Sequence, residues 1–243
     1  MRPERPDDLI IQQPDGPAQQ LVLLFHGVGS SAQNMLPVGE HLAAAYPNAA
    51  VISVQAPLAS DFGQGWQWFS VAGVTEDNRP ARVLEAMPLF VKAVQGWQQH
   101  TGVTPHATVL VGFSQGAIMA LESTQREAEG EHDALLAGRV VALSGRFAQD
   151  PRHAPAATVL HFIHGKHDPV MPYAHTVRAA EMLIQQGADV TADVIPFLEH
   201  AVTPEVLELV VERLQGYVPQ RHWRAALKGR KIYQDEDVPD SCT

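Results

Sequence analysis

The chain reads as an α/β protein, a single doubly wound and mostly parallel sheet with helices on both faces. Three observations predict this. Short runs such as 20–25, 50–54, 107–111, 140–143 and 158–163 are apolar at nearly every position, as strands covered on both faces are. Between them lie longer stretches with apolar residues at three- and four-residue spacing, the period of a helix packed on one side. The order strand, helix, strand recurs, and that alternation produces parallel sheets.

The elements follow in order. Residues 9–11 make a first strand and 20–25 a stronger one, which ends in His26-Gly27-Val28-Gly29. Glycine at alternate positions there permits a loop whose amides point inward. A helix over 33–46 places Leu36, Leu42 and Ala43 toward the core, and a strand over 50–54 follows. Residues 55–78 show no convincing helix or strand, yet carry Trp66, Trp68 and Phe69. A loop of that length is functional or disordered, and three aromatics in four residues argue against disorder. It is expected to form one wall of a substrate-binding site; the alternative is that its aromatics pin it to the core. Pro80 opens a helix to about residue 100, with Val83, Met87, Phe90, Val91, Val94 and Trp97 on one stripe.

Residues 107–125 run from a β-branched strand through a tight turn into a helix, and a polar surface excursion over 126–132 follows. The strand at 140–143 ends in Ser144-Gly145-Arg146, and that at 158–163 in His164-Gly165-Lys166-His167-Asp168-Pro169-Val170. A helix over 173–186, a strand over 191–195, a loop holding His200 and an amphipathic helix over 204–217 complete the series. No repeat or linker appears before Pro219, so residues 1–218 read as one domain. Residues 219–243 form an extension whose first half packs through Trp223, Leu227 and Tyr233 and whose last ten residues fray.

Composition narrows the function classes. Apolar residues make up 45% and charged residues 18%, as in ordinary globular enzymes. Lys plus Arg is 17 and Asp plus Glu 27, a net charge of −10, which argues against nucleic acid or an anionic membrane surface as partner. No secretory leader pattern and no membrane-spanning run occurs, so no stable membrane insertion and a cytoplasmic location are expected. The single cysteine, Cys242, cannot form an internal disulfide. A homodimer is compatible with this composition and not required by it.

The strand-to-helix turn holds Gly112-Phe113-Ser114-Gln115-Gly116. A nucleophile on a sharp elbow needs neighbours without side chains, because a Cβ at either glycine would meet crossing backbone. The competing reading is a glycine-rich turn with an ordinary N-cap serine. A serine hydroxyl needs a base, and the base an orienting acid; both belong at the carboxyl ends of strands. Asp168 lies past one strand end and His200 past the next, in the order expected for an α/β-hydrolase fold. His167 is the alternative base. Asp193 is mid-strand and Glu199 adjoins His200, so neither matches Asp168 as the acid, and Ser144 lacks flanking glycines. A metal cluster of His161, His164, His167 and Asp168 is disfavoured, since residues 161 and 164 point to opposite faces of a strand. The oxyanion donors expected are the backbone N–H groups of Val28 and Gln115, with His26 bracing its loop. No cofactor and no metal is implied.

Taken together, His26-Gly27-Val28-Gly29, Trp68-Phe69, the Ser114 elbow, Ser144-Gly145, the segment from His164 to Val170 and His200 resemble the phospholipase and carboxylesterase family that includes the acyl-protein thioesterases. A bacterial esterase branch of it is most similar, through Gly73-Val74-Thr75-Glu76-Asp77-Asn78-Arg79 and the run from Gly112 to Ser123. The resemblance implies a catalytic serine, aspartate and histidine at Ser114, Asp168 and His200. Ser30, Ser70 and Glu199 depart from the thioesterase pattern and bear on substrate preference. The expected activity is hydrolysis of a small-molecule carboxylic ester through an acyl-enzyme, with short or medium acyl groups against the aromatic wall. Thioesterase, lysophospholipase or acyltransferase activity and a non-catalytic binding protein are the alternatives. A dienelactone-type hydrolase would carry cysteine at the elbow.

Overall fold

The computed structural model describes residues 7–129 and 135–219. Its strands are β1 (Leu9–Gln12), β2 (Gln20–Phe25), β3 (Ala49–Val54), β4 (Leu58–Ala59), β5 (Trp66–Gln67), β6 (Thr108–Phe113), β7 (Arg139–Leu143), β8 (Val159–Gly165) and β9 (Val190–Ile195). The helices are α1 (Leu36–Ala45), α2 (Arg79–Thr101), α3 (Gln115–Ser123), α4 (Ala174–Gln185) and α5 (Pro204–Gly216). Seven strands form one sheet in the order β1-β3-β2-β6-β7-β8-β9, with β1 antiparallel to β3 and the other neighbours parallel. This is the expected α/β class. Among the described residues no helix is long and apolar enough to cross a membrane.

Alternation along each strand divides the core into two layers. Leu21, Leu23 and Phe25 of β2 join the layer under α2, α3 and α4, while Val22 and Leu24 join the layer under α1 and α5. Each fully buried side chain of this size stabilises by about 1.5–3 kcal/mol. Val83, Met87, Phe90, Val91, Val94 and Trp97, the stripe expected on α2, are all buried in the first layer.

Two element boundaries differ from the sequence expectation. The helix expected from residue 33 begins as a 3₁₀ turn, Ala32–Met35, and becomes α-helical only at Leu36, where Pro37 in the first turn needs no N–H partner. The irregular stretch 55–78 contains the β4–β5 hairpin, two residues a side and too short to leave a periodicity. The excursion expected over 126–132 is described only to residue 129, where it continues a 3₁₀ turn, and Cys242, Trp223, Leu227, Tyr233 and the extension beyond residue 219 lie outside the described residues.

The connectivity creates a crevice. From β2 the chain moves to β3 on one side, whereas β6 pairs on the other, with Phe25 opposite Gly112. Loops leaving the carboxyl ends of β2 and β6 therefore diverge, the arrangement in which open α/β sheets bind ligands.

Candidate active site

Ser114 stands between β6 and α3 with φ 52° and ψ −114°. A non-glycine residue there is strained by about 1–3 kcal/mol, and such strain concentrates where function requires it. An N-cap serine would be extended and would bond the first helical turn, yet no side-chain capping bond forms, so the N-cap reading does not hold. The elbow is locked by its backbone: Ser114 N–H donates to the Leu143 carbonyl at 2.9 Å, and Ile118 N–H to the Ser114 carbonyl at 3.1 Å. A Cβ on Gly112 would strike the Ala117 backbone, and one on Gly116 the Phe25 carbonyl. Both glycines are thus required by the crossing, as the elbow reading demands.

The loop after β2 lies directly against this turn, since a Cβ on Gly27 would come within 3.2 Å of Ser114 Cβ. His26 braces it from below. Ala56 N–H and the Gln55 side-chain amide both donate to His26 Nε2 at 3.1 Å, which leaves the proton on Nδ1 to donate to the Gly27 carbonyl at 2.7 Å. Burial lowers the His26 pKa, partly offset by that carbonyl, so the neutral ring is favoured. Gly29 N–H donates to the Trp66 carbonyl at 2.9 Å, and Trp66 N–H to the Ser30 carbonyl at 2.8 Å. Val28 sits within this fixed loop and is 38% exposed, while Gln115 begins α3.

Of the two readings of the aromatics, burial favours the one that pins the loop to the core. Trp68 is 1% exposed, its ring packed on Phe25 and Phe90 with centroids 5.5 and 5.3 Å apart, and its Nε1–H donates to the His26 carbonyl at 3.3 Å. Phe69 is buried as well, and half-buried Trp66 borders a cavity of about 660 Å³ shared with Asp8, Gln55 and Lys92, whose lining includes none of Ser114, Asp168 and His200. These rings hold the loop to the core because an indole between two phenyl groups removes more apolar surface from water there than at a solvent-filled cleft. What joins the loop to the elbow is the Gln115 side chain. Its Oε1 accepts Trp68 N–H at 2.7 Å, and its Nε2 donates to the Phe69 carbonyl at 2.8 Å.

The candidate acid and base come from neighbouring strand ends. His200 Nδ1 donates to Asp168 Oδ2 at 2.7 Å, while Asp168 Oδ1 accepts Val170 N–H at 2.9 Å and Met171 N–H at 2.8 Å. Burial raises the Asp168 pKa, but hydrogen bonds from His200, Met171 and Val170 outweigh it and hold the carboxyl below its usual value. The approach depends on Gly165, where a Cβ would strike the carbonyls of Leu198 and Glu199. The His200 ring lies 4.8 Å from the ring of Phe113, the residue before Ser114, so the imidazole stands at the same sheet edge as the elbow.

The rival base and acid have contacts outside the Asp168–His200 pair. The His167 ring lies 5.6 Å from Phe197, and Asp193 pairs with Arg213. Ser144 marks a strand-end turn at φ 47°, its N–H bonded to the Ile163 carbonyl. His161 bonds Thr191 beside Tyr217, whereas His164 bonds Thr176, so the two rings point into different layers. Sequence reasoning missed the Gln115 staple, Gly165, and a bidentate pair between Arg146 and Glu76 that ties the stretch before α2 to the loop after β7. Only Gln115 left a signal, a long amide next to the turn.

The sequence profile of the family described as Phospholipase/Carboxylesterase matches residues 6–217. Esterase YpfH of Escherichia coli (strain K12) is 45% identical over 232 residues, covering 96% of this chain and 97% of the relative. Acyl-protein thioesterase 1 of Emericella nidulans is 26% identical over 220 residues, covering 82% and 90%. Among solved structures, esterase PE8 superposes with a TM-score of 0.75 at 27% identity over 85% of this chain and 97% of that one.

Proposed function

The chain belongs to the phospholipase/carboxylesterase family, and from that premise we propose that it is a serine carboxylesterase acting on small-molecule esters in the cytoplasm. The observation that carries the reading is the 2.7 Å bond between Asp168 and His200, from two separate loops, beside a strained Ser114. His200 takes the Ser114 proton as the hydroxyl attacks the ester carbonyl. The tetrahedral oxyanion is held by the Val28 and Gln115 N–H groups, and Asp168 steadies the imidazolium. The imidazolium returns its proton to the leaving alcohol. Water, deprotonated by His200, then attacks the acyl-enzyme and releases the acid.

With Trp68 and Phe69 in the core, the short-chain expectation loses its footing, and a p-nitrophenyl ester series reads chain length directly. The same machinery would cleave a thioester, a reading favoured by the similarity to acyl-protein thioesterase 1; acyl-thiol turnover beside the ester series separates the two. A fluorophosphonate is expected to label the parental protein and not Ser114→Ala, whose ester turnover should fall by about 10⁴ to 10⁶-fold. Turnover near the parental rate in a folded Ser114→Ala protein would remove Ser114 as nucleophile.

A further inference from the structure

We propose that His164 is a positioning residue for Asp168, holding its carboxylate in the orientation that receives the His200 imidazole. The proposal rests on the triad reading above. His164 is fully buried near the end of β8, directly after the apolar Phe162 and Ile163, so its residue type needs a reason that packing does not supply. Its Nε2 lies 2.8 Å from the Met171 carbonyl and 3.3 Å from Asp168 Oδ2. Both neighbours are acceptors, so Nε2 carries the proton; it bonds the Met171 carbonyl, and the same N–H stands beside Oδ2.

The carboxylate is then filled. Oδ1 takes the Val170 and Met171 amides, and Oδ2 takes His200 with the His164 N–H beside it at 3.3 Å. Three donated bonds and the adjacent His164 N–H dipole thus occupy the directions in which the carboxylate can accept. Turning Asp168 about its Cβ–Cγ bond would disrupt this set in a site too enclosed for water to substitute. On its other edge His164 Nδ1 lies 2.8 Å from Thr176 Oγ1, and in the neutral ring the hydroxyl donates to it. The acid is therefore anchored to α4 through one imidazole.

The ring works in its neutral form. Burial lowers its pKa, against the pull of the Met171 carbonyl and Asp168; the other titratable groups around it are His200 and, on α4, His175. Without its proton, Oδ2 becomes a stronger acceptor for His200 and loses its fixed direction. The consequence is a base that holds its proton to higher pH and turns over more slowly.

The test compares His164→Leu with His164→Gln, whose side-chain amide can donate near the Nε2 position. In His164→Leu, kcat for a p-nitrophenyl ester should fall about tenfold with KM little changed, and the acidic limb of kcat/KM should move to higher pH. Gln should restore most of both. Equal kcat and limb in all three folded proteins, or equal losses in both variants with an unmoved limb, would overturn the proposal. If the leucine variant does not fold, ¹⁵N-histidine spectra of the parental protein decide. They should show His164 neutral with its proton on Nε2 between about pH 5.5 and 8.5; a proton on Nδ1, or titration in that range, overturns it. Fluorophosphonate labelling of the parental protein is read separately, since its absence would remove the triad reading itself.

Discussion

At Gly165 a Cβ atom would meet the carbonyl oxygens of Leu198 and Glu199, so the missing side chain is what lets the His200 loop lie against the end of β8. Gly165→Ala should displace that loop, lowering esterase kcat and the melting temperature together; a variant with parental values of both would show that the loop can yield. At Asp168 the expected effect is chemical. Asp168→Asn keeps the shape and offers His200 the wrong hydrogen-bond partner, so kcat should fall by about 10⁴ while circular dichroism stays parental. Ser114, Asp168 and His200 are candidates the sequence offers because each residue type is tied to its chemistry and each follows a recognisable strand, and the structure bonds His200 to Asp168. Gly165 was not, because a glycine's purpose depends on which backbone crosses it.

Among the elements, α3 does more than follow the nucleophile. Its first residue, Gln115, bonds the backbone of Trp68 and Phe69 and so fixes a stretch with little secondary structure of its own to the elbow. Gln115→Ala retains the backbone N–H and loses both bonds, each with a net contribution of about 0.5–1.5 kcal/mol. Amide exchange should accelerate across residues 60–76 and KM rise more than kcat falls; unchanged exchange there would show that the aromatics alone hold the loop. The strands and helices themselves were readable from period and composition. The role of the 55–78 loop stayed open between a binding wall and a core anchor, since three aromatics within four residues look alike whether they face a ligand or a core.

Across the whole molecule, Glu76 joins the start of α2 to the loop after β7, paired with Arg146 and Arg79. Arg146 first, then Arg79, pull its carboxyl from 4.5 to about 2. A carboxyl depressed in this way contributes stability that is complete above its unfolded value of 4.5 and lost as pH falls toward 2. Glu76→Gln should therefore lower the urea midpoint at pH 7, with the difference from the parental protein shrinking on acidification to about pH 3. A constant difference across that range would assign the effect to packing. The pair is largely open to water on the glutamate side, so the effect is modest and weakens with salt.

The sequence by itself determined the sheet, its helical cover, the elbow and the candidate reacting groups, because buried strands, amphipathic helices and a serine between glycines each impose a local pattern. Only the tertiary structure decided which side chains hold those groups in place. Gln115 reaches 47 residues back to Trp68, Glu76 reaches 70 forward to Arg146, and His164 meets an aspartate already bound by His200. Such contacts follow from the register and twist of neighbouring strands, which no window of sequence contains.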